Sequence, residues 1–388
     1  MFENLQLTEQ EIEGLDFSAL QTLHAAEKLN NGIVQDYAKG EYPPLDSMLS
    51  FIRANKDAEP VEIDIEALSV NGTCVKDEMS EYLNTRRISS GNLKEALKTP
   101  LSFLFDYEQR FEQEDKECFQ IGTFCHLAFL EPELFDRVVV APSINLVTKD
   151  GIIELINFYQ TLNGETKSIF GAEWKMQDLK ERLAELKAAC KYKIIKPEQK
   201  VIIDTLKFHY NTYGGGILRK LFKGAVSEVS VYGNCPETGL ELKCRPDALN
   251  VAENIGVNAI ISLKTTRAES IGKFIYDAAK FKYEVSEGHY QQLISHVTGR
   301  KFNATIMVIL QTVPPYQPAV LWWTPDSIEV GKYKANIAKS IIKECYEKKM
   351  FPGFDAKAPA GNCGIYEFEL PQWAMKEEHP TAIDDDNE

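Results

Sequence analysis

Two neighbouring segments in the second half of the chain place acidic and basic side chains where they could do chemistry. Residue alternation predicts one strand over Leu240–Pro246, followed directly by Asp247, and a second strand over Ala259–Lys264. Pro246 cannot donate a ladder hydrogen bond, so it marks the end of the first strand and presents Asp247 at a rim. An acid and a lysine in these positions suit phosphodiester hydrolysis. That reaction needs a hard divalent cation, oxygen ligands and compensation of charge in the transition state.

An acid at the end of one strand and an x-x-Lys sequence on the next form the skeleton of the PD-(D/E)XK nucleases, which the chain resembles here. The resemblance implies that Asp247 binds Mg²⁺ or Mn²⁺ and that the backbone carbonyl of Leu263 is a neighbouring ligand. Lys264 would orient the attacking water or stabilise developing charge. Pro-Asp alone is common, so the prediction depends on its combination with the lysine.

Motifs elsewhere in the chain make the resemblance more specific. They are similar, in the same order, to the signature segments of the RecE-type exonucleases, which are exodeoxyribonuclease VIII-like enzymes. The resemblance covers roughly residues 79–374. The matching segments are Tyr82, Ile88–Leu93, Ile121–Leu127, Leu130–Pro132, Arg245–Asp247, Leu263–Thr266 and Leu370–Ala374.

The family match implies two further residues of the site. His126, in a predicted helix, would be a metal ligand or a phosphate contact. We expect its ring to lie near the Asp247 carboxylate, because the helix that carries Gly122 must pack closely against the strand ending in Asp247. Glu228 lies where the family has an acid on the first strand of the meander, and alternation turns it away from Val229, so it could join the metal site.

Other residues are assigned by the same resemblance. Gln291 matches a catalytic-site glutamine that the wider nuclease group uses near the lysine, although its partner position, usually aromatic, is Ser295 here. A ring-like homo-oligomer enclosing DNA is also implied, so basic residues need only line its hole. Candidates for the DNA-binding lining are Lys264, Lys273, Lys280 and Lys282.

Ser262 is a departure from the family pattern, because the second acid should stand two residues before Lys264. A serine hydroxyl is a weak, neutral ligand for a hard dication. Three explanations remain open: the acid has migrated to another position, the chain is a degenerate nuclease that only binds DNA ends, or the serine is an inactivating substitution. In the first case the candidate replacements are Glu228, Glu269, Glu284 and Glu287.

The function implied by the resemblance is a metal-dependent deoxyribonuclease that resects double-stranded DNA ends. It further implies digestion in the 5′→3′ direction, a role in phage-type homologous recombination, and cooperation with a single-strand annealing recombinase. The alternative, motivated by Ser262, is a catalytically degenerate DNA-end-binding protein on the same fold.

The order of the predicted elements indicates an α/β (α+β) fold in which helices flank a central mixed sheet, and the resemblance implies that its core is restriction-endonuclease-like. The meander is formed by Val226–Tyr232, Leu240–Pro246 and Ala259–Lys264, and Glu173–Lys193 is predicted as an amphipathic helix. We divide the chain into an N-terminal accessory segment, 1–78, a nuclease domain, 79–375, and an acidic disordered tail, 376–388.

Composition narrows the protein class. A net charge of −15 argues against a general polyanion binder, but it permits an enclosed basic channel. The eight cysteines form no C-x-x-C pair, so an iron–sulfur or zinc site has little support. No apolar run approaches the roughly 20 residues that span a bilayer, and the start of the chain does not look like a secretory signal. We therefore expect a cytoplasmic protein without a membrane partner.

Overall fold

The computed structural model describes residues 41–108, 117–168, 170–171, 173–359 and 361–371. Its strands, in chain order, are β1 (Gly72–Val75), β2 (Val139–Val140), β3 (Ile194–Ile195), β4 (Val226–Ser227), β5 (Ser230–Asn234), β6 (Glu241–Cys244), β7 (Ala248–Asn250), β8 (Ala259–Thr266), β9 (Ala304–Gln311) and β10 (Pro318–Trp322).

The α-helices of the same residues also follow in chain order. They are α1 (Leu45–Ala54), α2 (Met79–Asn84), α3 (Ser90–Lys98), α4 (Pro100–Glu108), α5 (Glu117–Leu130), α6 (Pro132–Phe135), α7 (Lys149–Asn163), α8 (Met176–Ala189), α9 (Pro197–Thr212), α10 (Ile217–Phe222), α11 (Ala252–Ile255), α12 (Ile271–Lys280), α13 (Tyr283–Thr298) and α14 (Pro325–Lys348). None of them is long and apolar enough to cross a membrane.

The central sheet has five strands in the order β10-β9-β8-β7-β4, with β8 and β9 parallel and the other pairs antiparallel. Alternation along β8 turns Ile261 and Leu263 into a core shared with α5, α9 and α10. On the opposite face, Phe274 of α12 packs with Met307 of β9, and Val285 of α13 joins a second core. A mixed sheet covered by helices on both faces confirms the expected fold class.

The meander bends where the sequence pattern predicts continuous strands. Val226–Tyr232 divides into β4 and β5, and Leu240–Pro246 contributes β6 before the chain continues into β7. β1, β5 and β6 form a separate three-stranded sheet in which β5 is the central strand. Glu228 lies at the first break with a left-handed φ of 56°, and its N–H donates to the Asp247 carbonyl at the second, 3.1 Å away. The two breaks together make a corner between the sheets.

Residues 41–78 pack as part of the same body as the rest of the described chain. Met48 and Ile52 of α1 are buried in the core that also contains Ile255, and Cys74 of β1 is buried in the other core. The described portion of the predicted accessory segment therefore supplies a strand and two core contacts. The predicted acidic tail, 376–388, lies outside the described residues.

Helices α7 and α8 form a hairpin with a small apolar core of its own. Ile152 and Ile156 of α7 are buried against Leu179 and Leu186 of α8. The parallel pair of β2 and β3 closes the base of this hairpin. The leucine stripe of α8 follows the amphipathic spacing expected for Glu173–Lys193, although the helix is shorter than predicted. The hairpin is thus a compact lobe beside the main sheet.

Candidate metal-dependent active site

Three potential ligands meet at the corner between the two sheets. The Nδ1 atom of His126 lies 3.7 Å from Oδ1 of Asp247 and 3.8 Å from Oε1 of Glu228. One ligand atom of each residue falls within 4.8 Å of the others. Helix α5 can bring His126 this close because Gly122, one turn earlier, has no side chain: a Cβ there would meet the Thr265 hydroxyl at 3.3 Å. The geometry matches the expectation that the His126 ring approaches Asp247.

The second oxygen of Asp247 is fixed by the neighbouring strand. Oδ2 accepts from the Leu263 N–H at 2.5 Å and from Lys264 Nζ at 3.0 Å. Burial alone would raise the pKa of Asp247, but the charges of Lys264 and His126 outweigh it and hold that pKa below its usual value. Asp247 therefore stays ionised, with Oδ1 directed to His126 and Oδ2 held by β8.

Charge also tunes the two basic groups of the site. Burial disfavours the protonated form of His126, yet the carboxylates of Asp247 and Glu228 outweigh burial and raise its pKa. For Lys264, burial is likewise outweighed by Asp247 and Glu287, which raise the pKa of the ammonium. Lys264 Nζ also donates to the Leu263 carbonyl at 3.2 Å. Lys264 is thus a fixed cation at the rim of the sheet.

This donor set fits a hard divalent cation. Asp247 and Glu228 offer carboxylate oxygens, the Leu263 carbonyl is adjacent, and neutral imidazole is a common ligand. A cation would take the place of the proton on His126, because ligands must be deprotonated to bind metal. The corner could therefore hold Mg²⁺ or Mn²⁺ through His126, Glu228, Asp247 and Leu263.

Ser262 makes a contact that bears directly on the missing acid. Its hydroxyl donates to Oε1 of Glu287 at 2.8 Å, and Glu287 projects from α13, which packs over β8. The Glu287 side chain is 1% exposed, and within the described structure its Oε2 has no hydrogen-bond partner. Burial raises the pKa of Glu287 to about 7, while Lys264 opposes that shift. The serine position is thus backed by a carboxylate that carries an uncommitted oxygen.

The other candidate replacements have different surroundings. Glu284, one turn before Glu287, pairs with Lys334 of α14 at 2.8 Å. Glu269 is exposed in the segment after β8. Glu228 already belongs to the cluster around His126. Among the four, Glu287 is the residue that the fold brings to Ser262.

Glu228 is held in place by a buried arginine. Arg245 Nε donates to Oε2 of Glu228 at 2.8 Å, and its NH1 donates to Oδ1 of Asp77 at 2.9 Å. Asp77 precedes α2, in the segment that the sequence pattern separates from the nuclease domain. No local motif marks Asp77, so only the tertiary contact with Arg245 identifies it.

Lys94 is a basic residue of this region that sequence reasoning missed. It lies in α3, one turn beyond the Ser89 cap, with Nζ 5.3 Å from the centroid of the Tyr283 ring. Burial lowers the pKa of Lys94 to about 8; Glu287 opposes the shift and Lys264 adds to it. Within the described part of the chain Lys94 makes no ion pair. The signal was its position directly after the Ile88–Leu93 motif.

The remaining predicted residues occupy other surroundings. Gln291, on α13, is buried and donates to the Thr305 hydroxyl of β9 at 2.9 Å, so the observed contact directs it to the sheet interior. Lys273 and Lys280 are exposed on α12, and Lys282 lies in the turn before α13. The three lysines thus lie in the helix and turn that follow β8 in the chain. Gln291 does not belong to the cluster around His126.

A central mixed sheet with Asp247 and Lys264 at its rim defines a protein of the PD-(D/E)XK type. The family model described as "PDDEXK-like domain of unknown function (DUF3799)" matches residues 89–365. The match covers more than two thirds of the chain, and the chain belongs to this family.

Comparison with curated proteins finds no significant match. Among solved structures, the chain is similar to a crystal structure named "Putative exonuclease" from Eubacterium rectale, with 12% sequence identity and a TM-score of 0.41. That similarity covers 78% of this chain and 96% of the other.

Proposed function

We propose that this protein is a metal-dependent deoxyribonuclease that resects the ends of double-stranded DNA. The observation that carries the proposal is the contact between Ser262 and Glu287. Ser262 replaces the second acid of the family pattern, and the Glu287 carboxylate from α13 is hydrogen-bonded to this serine. Glu287 could therefore supply the acid that the sequence lacks at position 262. With Asp247 and Lys264 beside it, the site has both acids and the lysine that this chemistry needs.

We assign metal binding and charge compensation to different residues of the site. His126, Glu228, Asp247 and the Leu263 carbonyl would hold the cation, with Glu287 as the second acid. When bound there, Mg²⁺ or Mn²⁺ would polarise the phosphate and lower the pKa of a bound water. Lys264, which lies 3.0 Å from Asp247, would orient a water molecule and offset negative charge on the phosphate.

The finer parts of the proposal rest on the resemblance to RecE-type exonucleases. They are digestion from the 5′ end, a ring-like homo-oligomer, cooperation with a single-strand annealing recombinase, and a setting of phage-type recombination. The net charge of −15 is compatible with a ring whose basic residues face an enclosed channel. Lys273, Lys280 and Lys282 are the proposed lining, and Gln291 is proposed to support the catalytic strand from the sheet interior.

The test compares linear and covalently closed circular duplex DNA. Purified protein with Mg²⁺ or Mn²⁺ should degrade the linear form and spare the circle, and chelation of the metal should stop the reaction. Lys264→Ala should reduce the rate by roughly 1,000-fold, equivalent to about 4 kcal/mol, because it removes a fixed charge next to the reacting phosphate. Lys343→Ala is the control, since Lys343 is partly exposed on α14 and pairs there with Glu347 at 3.9 Å.

The outcomes separate the proposal from its rival. Degradation of linear DNA that persists in Lys264→Ala would place the activity elsewhere. Binding of DNA ends by the unmodified protein without digestion under either metal would support the end-binding protein instead. A substrate labelled at one 5′ end or one 3′ end would give the direction of digestion.

A further inference from the structure

A large cleft opens between the α7–α8 hairpin and the main sheet, with a volume of about 1190 Å³. One wall is Thr265–Arg267, which directly follows the proposed catalytic Lys264 on β8. The other wall comes from the hairpin and the segment behind it, including Lys187 and Tyr192. The start of α9 also lines the cleft. Thr265 directly follows Lys264 on β8, so the cleft begins beside the part of the strand that carries the proposed catalytic lysine.

A buried amide at the start of α9 lacks a partner in this cleft. Gln199 is 6% exposed, and its Oε1 accepts from the Lys196 N–H at 3.2 Å. Its Nε2 has no hydrogen-bond partner within the described structure. Buried polar groups are nearly always paired, so an unpaired donor that lines a cleft points to an acceptor supplied by a ligand. The amino terminus of the 16-residue helix α9 adds a partial positive charge at the same place.

The ionic groups of the cleft also favour an anion. Lys187 and Arg267 are exposed and make no ion pair with any residue that the structure describes. Lys196 is a third cation in the lining, and Glu198 is the one carboxylate. In a chain with a net charge of −15, this local excess of cations is unusual. It selects for a ligand with several negative charges.

The shape and the aromatic group narrow the ligand further. Tyr192 is half-exposed in the lining and offers a ring on which a base could stack. The volume exceeds that of an ordinary small-molecule pocket, and it suits a few nucleotides rather than a double helix. Sites that bind single-stranded nucleic acid commonly combine cationic side chains with an aromatic ring on which a base stacks.

We propose that this cleft binds a single strand of DNA through its phosphates, with Gln199, Lys187 and Arg267 as contacts. The proposal rests on the proposed nuclease function, because the strand would be one that enters or leaves the site at Lys264. The α7–α8 hairpin would then supply one wall of the path of this strand.

The test measures binding of a fluorescent 12-nucleotide oligothymidylate in EDTA, where metal-dependent cleavage cannot occur. Gln199→Glu is the sharpest variant, because it keeps the Oε1 acceptor for Lys196 and replaces the free donor with a negative oxygen. We expect at least about tenfold weaker binding with an unchanged melting temperature. Lys187→Ala/Arg267→Ala should weaken binding and lower the slope of log affinity against log salt by about 1.4, the value for two lost phosphate contacts.

Arg53→Ala/Lys343→Ala removes the same charge from an exposed position on α1 and a partly exposed position on α14, and it should leave both the affinity and the slope unchanged. Equal binding and equal slopes for the unmodified protein and all cleft variants would overturn the proposal. So would an equal loss in the Arg53→Ala/Lys343→Ala control, because the effect would then follow net charge. Loss of binding confined to the cleft variants supports the proposal even if the unmodified protein cuts no DNA.

Discussion

The candidate metal site and the neighbouring cleft differ in how their charged side chains are paired. At the corner, His126, Glu228, Asp247 and Lys264 all have an oppositely charged neighbour within 4 Å. In the cleft, Lys187 and Arg267 have none within the described chain. Grouped carboxylates prepare a site for a cation, whereas unpaired cations prepare a surface for a polyanion. The two regions adjoin along β8, as a nuclease site and its substrate path should.

The two buried glutamates at the corner extend this comparison. Glu228 is held by Arg245 at 2.8 Å, and the same guanidinium also pairs with Asp77 at 2.9 Å. Glu287 has a serine as its hydrogen-bond donor, and burial raises its pKa to about 7. Glu228 thus has a fixed cationic partner, whereas Glu287 makes no ion pair with any residue that the structure describes. We therefore expect loss of the Glu287 carboxylate to weaken cation binding more than loss of the Glu228 carboxylate.

Among variants of Glu287, Ser262 and Lys94, the largest effect should come from Glu287→Gln. It keeps the shape of the side chain but removes the charge that would help to hold the cation, so kcat/KM should fall by at least about 100-fold, or about 2.7 kcal/mol. A higher Mg²⁺ concentration should restore part of the activity. The rate of linear duplex degradation across a Mg²⁺ titration measures both effects.

Glu284→Gln is the matched control for Glu287→Gln, because it lies one turn earlier on α13 and pairs with Lys334. It should retain near-normal activity. If Glu287→Gln were as active as the unmodified protein at low Mg²⁺, the second acid would have to be sought elsewhere.

Ser262→Asp should give the next largest effect. It places a carboxylate against Glu287, two like charges that cannot both ionise at close range, so activity near pH 7 should drop by roughly tenfold and the melting temperature should fall. Ser262→Ala removes only one hydrogen bond, a loss of about 1 kcal/mol in stability. A rise in activity with Ser262→Asp would instead show that the serine disables an otherwise intact site.

Lys94→Met should have the smallest effect of the three, a loss of less than about tenfold in kcat/KM, because it removes a nearby cation but leaves the acids in place. The pKa of Lys94 is about 8 in the free protein, so its charge is present below that pH and is lost above it. The unmodified protein should therefore lose activity as the pH rises through 8, and Lys94→Met should lack that decline.

Lys98→Met tests whether position on α3 alone matters. Lys98 is exposed one turn further along the helix and pairs with Glu95 at 2.6 Å. It should keep both the rate and the pH profile of the unmodified protein. Identical pH profiles for Lys94→Met and the unmodified protein would remove Lys94 from the site.

The sequence by itself determined the type of fold and the central pair of the site. Alternation placed Asp247 after one strand and Lys264 at the end of the next, and the motif around Gly122 placed His126 beside them. These assignments succeed because strand periodicity and the tolerance of glycine for close packing are local properties. The family model that matches residues 89–365 describes a PDDEXK-like domain and agrees with the predicted fold class.

Only the tertiary structure decided which acid stands behind Ser262. Glu287 lies 25 residues further along the chain, and four glutamates were equal candidates until α13 was seen to pack over β8. The break at Glu228 and its tie through Arg245 to Asp77 likewise depend on contacts between distant segments. Periodicity defines which face a side chain occupies. Which helix covers that face is set by long-range packing, and that packing also produced the cleft beside α9.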